Sequence, residues 1–341
     1  MSTVTTPPAR RRALARRTST RTVLVGLAAL ITGLVAGCSP SAYDATPLPS
    51  ASIAAPTAAP TPSPSASAAP VCADPLASYA PASPLPAPGA MPAGSTMARI
   101  AERGRLVVGV SGDSLLLGAR NPINGQLEGF DIDTAKLVSQ AIFGDPDQIE
   151  LRVITAAERI PLLQDGSVDM VARNMTITCA RWEQIAFSAE YYRSGQKVLV
   201  PLGSTATSLA DLSGQRVCAP TGSTSLDKLK EFPEVVPVGA GTHTGCLVLF
   251  QQGAVDAITG DDTVLAGLAA QDPYAQVVGP AFTVEPYGLG VNTDNVDLVR
   301  FVNGVLAQAV ADGRWTQSYD RWLADALGAA PAPPVPDYGR G

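Results

Sequence analysis

The chain has 341 residues, with 30 acidic and 24 basic side chains, one histidine and five cysteines. Residues 1–37 hold six of the basic residues and no acid, so 24 less these six leaves 18 basic against 30 acidic ones beyond residue 37. That acidic balance, with no basic stripe of interleaved aromatics, excludes a general nucleic-acid binder, and no cysteine or histidine spacing fits a zinc site.

The chain opens on a basic block, Arg10, Arg11, Arg12, Arg16, Arg17 and Arg21, followed by the apolar run VLVGLAALITGLVAG at 23–37. This run is short for a membrane span of roughly 20 residues and ends on small residues, as an export signal does. The sequence VAGC resembles the lipobox of bacterial lipoproteins, which implies cleavage before Cys38 and lipidation of its thiol. Residues 38–98 are largely Pro, Ala and Ser and contain no Lys or Arg. Such a composition buries too little apolar surface to offset chain entropy, and predicts an extended spacer. The last segment, 329–341, is again Pro-rich and predicts a loose tail.

Between them the body alternates strand-like and helix-like segments, the mark of an α/β architecture. RLVVGVS (105–111) predicts a strand, GFDIDTAKLVSQAIFG (129–144) a helix, IELRVIT (149–155) a strand, and ERIPLLQDGSVD (158–169) a short helix. MVAR then leads into NMTITCAR, and QKVLVPLG (196–203) stops at Pro201. GQRVCAPTGSTSLDKLKEF (214–232) predicts a strand, a Gly/Ser/Thr turn and a helix; EPYGLGVN (285–292) predicts a strand and 295–323 helix. LLQDGSVDMVARN and LFQQGAVDAITGD are near-copies, so two lobes each present a strand end followed by polar residues. In open α/β sheets ligands gather beyond the carboxyl ends of strands.

The motifs GFDIDTAKLV, LLQDGSVDMVARNMTITCAR, FSAEYY, LSGQRVCAPTGSTS, GAVDAITGDD and YGLGVN, in this order, resemble the polar-amino-acid extracellular solute-binding proteins (family 3, with its glutamine- and glutamate-binding lipoproteins). The resemblance spans nearly all of 99–325. It implies a two-lobed, periplasmic-binding-protein-like fold of type II with two hinge strands. Lobe one would be 99–198 plus 286–328, lobe two 202–283, and the hinge would lie near Val200 and Glu285. With both in lobe two, Cys218 would pair with Cys246, leaving Cys72 for Cys179; free buried thiols are the alternative.

By position in the motifs, Arg181 would hold a ligand α-carboxylate and Asp261 its α-ammonium. The chemistry stands without the family: a guanidinium meets a carboxylate through two charge-assisted hydrogen bonds, and a zwitterion needs an acceptor opposite. Thr176, Ser223 and Thr224 would add hydroxyl donors to the carboxylate, and Asn174, Met175 and Ser111 line the same segments. Ser111 and Leu115 stand where the family often has an aspartate and a stacking aromatic. Arg173 and Arg159 would favour an acidic ligand, with the amides next, because an unpaired buried charge is costly. The resemblance implies a monomeric, lipid-anchored protein on the outer face of a bacterial membrane. It would capture glutamate, aspartate, glutamine or asparagine for an ABC-transporter permease, without cofactor or metal. The alternatives are a sensor reporting to a membrane signalling partner and a lyase on the same fold. The solitary His243 reads as a surface residue rather than a base, and neither a G-x-S-x-G elbow nor a P-loop is present.

Overall fold

The computed structural model describes Cys72 and residues 74–341, all within one unit of contacts. The export segment, Cys38 and the spacer through residue 71 lie outside the described residues. No described helix is long and apolar enough to cross a membrane.

Leu106–Val110 is buried at every position, as a strand covered on both faces must be. It pairs in parallel with Ile149–Val153 and with Met170–Ala172. Gly290–Val291 joins antiparallel to Met170–Val171 and carries Ala186–Phe187 beyond it, completing a five-stranded sheet. The helix Phe130–Phe143 covers one face. Its first residue packs among Tyr191, Tyr192, Trp315 and Tyr319. The residue before it must be glycine: Gly129 has φ +138°, and a Cβ there would lie 2.3 Å from the Leu117 carbonyl oxygen. Helices Val296–Ala311 and Arg314–Trp322 return to this same core.

The second sheet is also five-stranded. Arg216–Pro220 pairs in parallel with Val236–Ala240 and Ala257–Asp261, while Gln196–Pro201 runs antiparallel between Ala257–Asp261 and Ala275–Val278. The chain passes between the sheets twice, and the two passages pair: Tyr192–Ser194 runs antiparallel to Glu285–Tyr287. Glu285 therefore starts a crossing strand. Val200 does not lie in one: it is fully buried inside the second sheet, opposite Gln276. The crossing is six to eight residues earlier, because the first sheet ends at Phe187 and the chain needs only a short extended link to reach Gln196.

Where it is described, the expected spacer is more ordered than its composition suggests, and so is the Pro-rich tail. Ala77–Tyr79 is a strand paired in parallel with Asp337–Arg340 of the tail, and helix Thr96–Arg103 begins inside the expected spacer, capped by the Ser95 hydroxyl. Arg340 donates to the Ala77 carbonyl at 2.7 Å and lies 3.7 Å over the Trp182 ring. These segments have no core of their own; they are held by docking onto the first sheet's unit. Disulfides join Cys72 to Cys179 and Cys218 to Cys246.

Candidate functional site

The carboxyl ends of the parallel strands in both sheets meet in one seam. Thr244 Oγ1 donates to the Asp113 carbonyl at 2.9 Å, Arg159 Nη2 to the Gly222 carbonyl at 3.1 Å, and Thr176 Oγ1 lies 3.4 Å from Thr224 Oγ1. Each pair joins the unit of the first sheet to that of the second.

On the first side, Ala172 ends a strand and the chain turns through Arg173 and Asn174. Asn174 has φ +34°, a conformation that Asn tolerates better than most residues. Its N–H donates to Asp131 Oδ2 at 2.8 Å, and its Oδ1 is buried without a partner. Asp131 also accepts from the Tyr191 hydroxyl at 2.6 Å, and burial pushes its carboxyl up to about 6. Residues 175–177 then dock on the crossing strand: Ile177 N–H donates to the Pro286 carbonyl and Gly288 N–H to that of Met175. The Met175 side chain points into the core beside Gly290 and Leu163, so only its backbone borders the seam. Thr178 caps the short helix Cys179–Trp182. That helix delivers Arg181, whose Nη1 donates to the Thr176 carbonyl at 2.6 Å and Nη2 to the Gly222 carbonyl at 3.5 Å. Burial lowers its guanidinium, opposed by the charges of Glu285 and Asp261.

On the second side, Asp261 ends a strand and precedes helix Asp262–Gln271, yet its side chain makes no cap bond. It is 3 % exposed. Its Oδ2 accepts from the Tyr287 hydroxyl at 2.6 Å, and its Oδ1 has no partner. Burial pushes this carboxyl up to about 7, and the Glu285 charge adds to the rise. Free carboxylate oxygens are costly to bury, and the Asn174 side chain is the neighbouring polar group on the other side that helps lower this carboxyl. Thr224 Oγ1 donates to Glu285 Oε2 at 3.1 Å, whereas the Ser223 hydroxyl is spent as a helix cap, accepting from Leu226 N–H and donating to the Pro220 carbonyl.

Several residues differ from their sequence-based roles. The Thr176 hydroxyl does not offer its proton to the seam; it donates to Glu285 Oε2 at 2.6 Å. Arg159 spends its guanidinium on the carbonyls of Ala156, Arg173, Asn174 and Gly222, which makes it a buried brace. Arg173 donates through Nε to the Ile154 carbonyl; Asp113, Asp131 and Glu158 are the charges that most support it. Ser111 is tied to Ser114 and Asp113 within its own turn.

His243 is not a surface residue. It is 8 % exposed, because helix His243–Gln251 is capped by Thr242 at the seam and the ring tucks under Gly260. A Cβ on Gly260 would lie 2.4 Å from His243 Nε2, so the imidazole fills the space of the missing side chain. Burial and the Arg173 charge push it down to about 4, and the Thr259 backbone opposes this. The ring is therefore neutral near pH 7, with Nε2 unpartnered. Nothing in the local sequence signalled this, since the cover at residue 260 is tertiary. Among the described residues, no cluster of three or more His, Cys, Asp or Glu could hold a metal ion.

Residues 106–325 match the profile of the bacterial extracellular solute-binding proteins, family 3. The chain is 35% identical over 232 residues to the ABC transporter glutamine-binding protein GlnH of Bacillus subtilis, covering 67% of this chain and 85% of that protein. It is 34% identical over 240 residues to the glutamate-binding protein GluB of Corynebacterium efficiens, covering 67% of this chain and 80% of the other. Among solved structures it is similar to the solute receptor for L-cysteine of Neisseria gonorrhoeae, with TM-score 0.65, 30% identity, and 69% and 96% of the two chains covered. It is also similar to an ancestral arginine-binding protein bound to glutamine, with TM-score 0.61, 32% identity, and 65% and 98% covered.

Proposed function

The chain belongs to the bacterial extracellular solute-binding proteins, family 3, and we propose that it captures an acidic amino acid or its amide for import by an ABC transporter. A single arrangement carries this reading: a buried guanidinium, Arg181, on one side of the seam, and a buried carboxylate oxygen without a partner, Asp261 Oδ1, on the other. The two charges are close enough to act on one another. A guanidinium for the α-carboxylate and a carboxylate for the α-ammonium match a zwitterion, and each group comes from a different side of the seam. Binding thereby ties the two halves together.

The side chain of the ligand would meet Arg173 and His243. Arg173 suits an acid or a carbonyl oxygen. His243, neutral near pH 7 and packed under Gly260, adds no positive charge of its own beside Arg173. Arg173 can pair with a carboxylate or donate to an amide carbonyl, so an acid and its amide both fit; relatives named for glutamine and for glutamate support the same pair of classes. A charge-reversing Arg173→Glu substitution should weaken glutamate at least as much as glutamine; unchanged glutamate affinity removes Arg173 from the site. On this reading Cys38 carries a lipid, the Pro-rich segment is the tether, a permease is the partner, and the protein works as a monomer. Cys38→Ala should release it from the membrane fraction, and retention there would count against the anchor. The decisive test is calorimetry with all twenty amino acids on the soluble body, wild type beside Arg181→Ala. One-to-one binding of an acidic or amide amino acid, lost in the variant, supports the proposal; equal binding by both proteins refutes the site.

A further inference from the structure

Glu285 begins the second crossing strand. It is buried, and its carboxylate gathers three hydroxyl donors. Oε2 accepts from Thr176 of the first side at 2.6 Å and from Thr224 of the second at 3.1 Å, and Oε1 accepts from Thr283 at 2.6 Å. It is also the foremost charge supporting the Arg181 guanidinium. A hydroxyl has one proton and two lone pairs. Where the proton of Thr176 or Thr224 goes to Glu285, that oxygen can only accept from anything else in the seam. An α-carboxylate cannot use such an oxygen; an α-ammonium can.

We propose that Glu285 is a positioning residue of the ligand site: by taking the hydroxyl protons of Thr176 and Thr224, it presents both oxygens as acceptors to the ligand's α-ammonium. This deepens the amino-acid reading above and rests on it. Asp261 Oδ1 and the two threonine oxygens then form one acceptor set drawn from both sides of the seam, while Arg181 takes the carboxylate. The arrangement has a second consequence. Glu285 is a negative charge beside Asp261, together with Asp262; Tyr287 and Asn174 hydrogen-bond the same carboxyl, Tyr191 and Tyr192 lie near it, and Arg159 and Arg181 are the guanidiniums that face it. The charge of Glu285 therefore helps set the pH at which Asp261 loses its proton and can receive an ammonium.

The test uses Glu285→Gln and Glu285→Asp, with binding of the preferred amino acid followed from pH 5.5 to 8.5, as about three units around the Asp261 titration suffice for a profile. Glutamine keeps a single acceptor oxygen for three hydroxyl donors, so at least one of Thr176, Thr224 and Thr283 must turn its proton elsewhere, and without the charge the remaining bonds hold the two seam hydroxyls less firmly. Affinity should fall about tenfold or more, as for a lost hydrogen bond to a charged group. The acid limb of binding should also move to lower pH. Glu285→Asp keeps the charge but shortens the reach; it should lose affinity with the acid limb in place. Thr176→Val should cost less in the Glu285→Gln background than alone, because the two act through one contact. An unmoved acid limb in Glu285→Gln with strictly additive Thr176→Val loss would reduce Glu285 to a structural residue and overturn the proposal. So would wild-type affinity in Glu285→Gln. Failure of the wild-type protein to bind any amino acid would instead overturn the parent reading, and this one with it.

Discussion

Replacing Gly222 by alanine probes whether binding requires the two halves to close on each other. Gly222 has φ +77°, and a Cβ there would stand 2.7 Å from Ala157 Cα and 3.0 Å from Ala157 N, both on the opposite side of the seam. Two separate penalties follow. The left-handed backbone costs about 1–2 kcal/mol for a residue with a Cβ, whether the protein is open or closed. The contact with Ala157 is with backbone, which cannot swing away, and arises only when the halves meet. Overpacking of this kind costs about 1–3 kcal/mol. Gly203→Ala supplies the control: its φ is +84° and nothing lies within 4 Å of its Cβ, so it carries the first penalty without the second. Both variants should lose similar thermal stability without ligand, about 2–4 °C per kcal/mol for a body of this size. Only Gly222→Ala should lose affinity, by roughly 5- to 150-fold, from about 1–3 kcal/mol of closure energy. Calorimetry and thermal melts on the two variants read both quantities. Equal affinities for Gly222→Ala and Gly203→Ala would refute the idea that ligand binding closes this seam.

Other outcomes follow from the same geometry. Asp261→Asn should weaken ligand binding by about 2–5 kcal/mol, the usual loss when one partner of a buried charge pair is removed, yet stabilise the ligand-free protein above pH 7, where wild type buries an unpaired charge. The sign follows from linkage: the folded carboxyl sits at about 7 against an ordinary 3.8, so its penalty is full above pH 7 and fades as pH falls toward 4. The stability gap between variant and wild type, read by denaturant melts, should therefore shrink from pH 8 to pH 5; a constant gap contradicts it. Wild-type affinity should drop by up to about tenfold per pH unit below 7, as Asp261 takes up its proton, which pH-resolved calorimetry would detect. Removing both Cys218 and Cys246, which are buried and 28 residues apart, should cost about 3–4 kcal/mol of stability on loop-closure entropy. A variant melting like wild type would show that the crosslink does little.

The sequence carried the parts of this site that depend on local chemistry. The repeated turns after MVAR and AITG exposed the two strand ends, and the resemblance to the family singles out a guanidinium and a carboxylate beyond them whose types would suit one zwitterion. What was hidden depends on tertiary cover. His243 reads as a turn residue until Gly260, seventeen positions later, is seen to leave it room. Arg159 reads as a free cation until four carbonyls converge on it. The direction of the Thr176 proton is set by Glu285, more than a hundred residues away. The tail failed for another reason: a Pro-rich segment shows no period of its own, and its strand exists only because Ala77–Tyr79 offers an edge.

A crystal structure of the protein with its tightest-binding amino acid tests the central claim most directly. The account predicts the α-carboxylate on the Arg181 guanidinium and the α-ammonium on Asp261 Oδ1, with the ligand enclosed between the two sheets. A ligand seated elsewhere, or one whose ammonium leaves Asp261 Oδ1 without a partner, would contradict it.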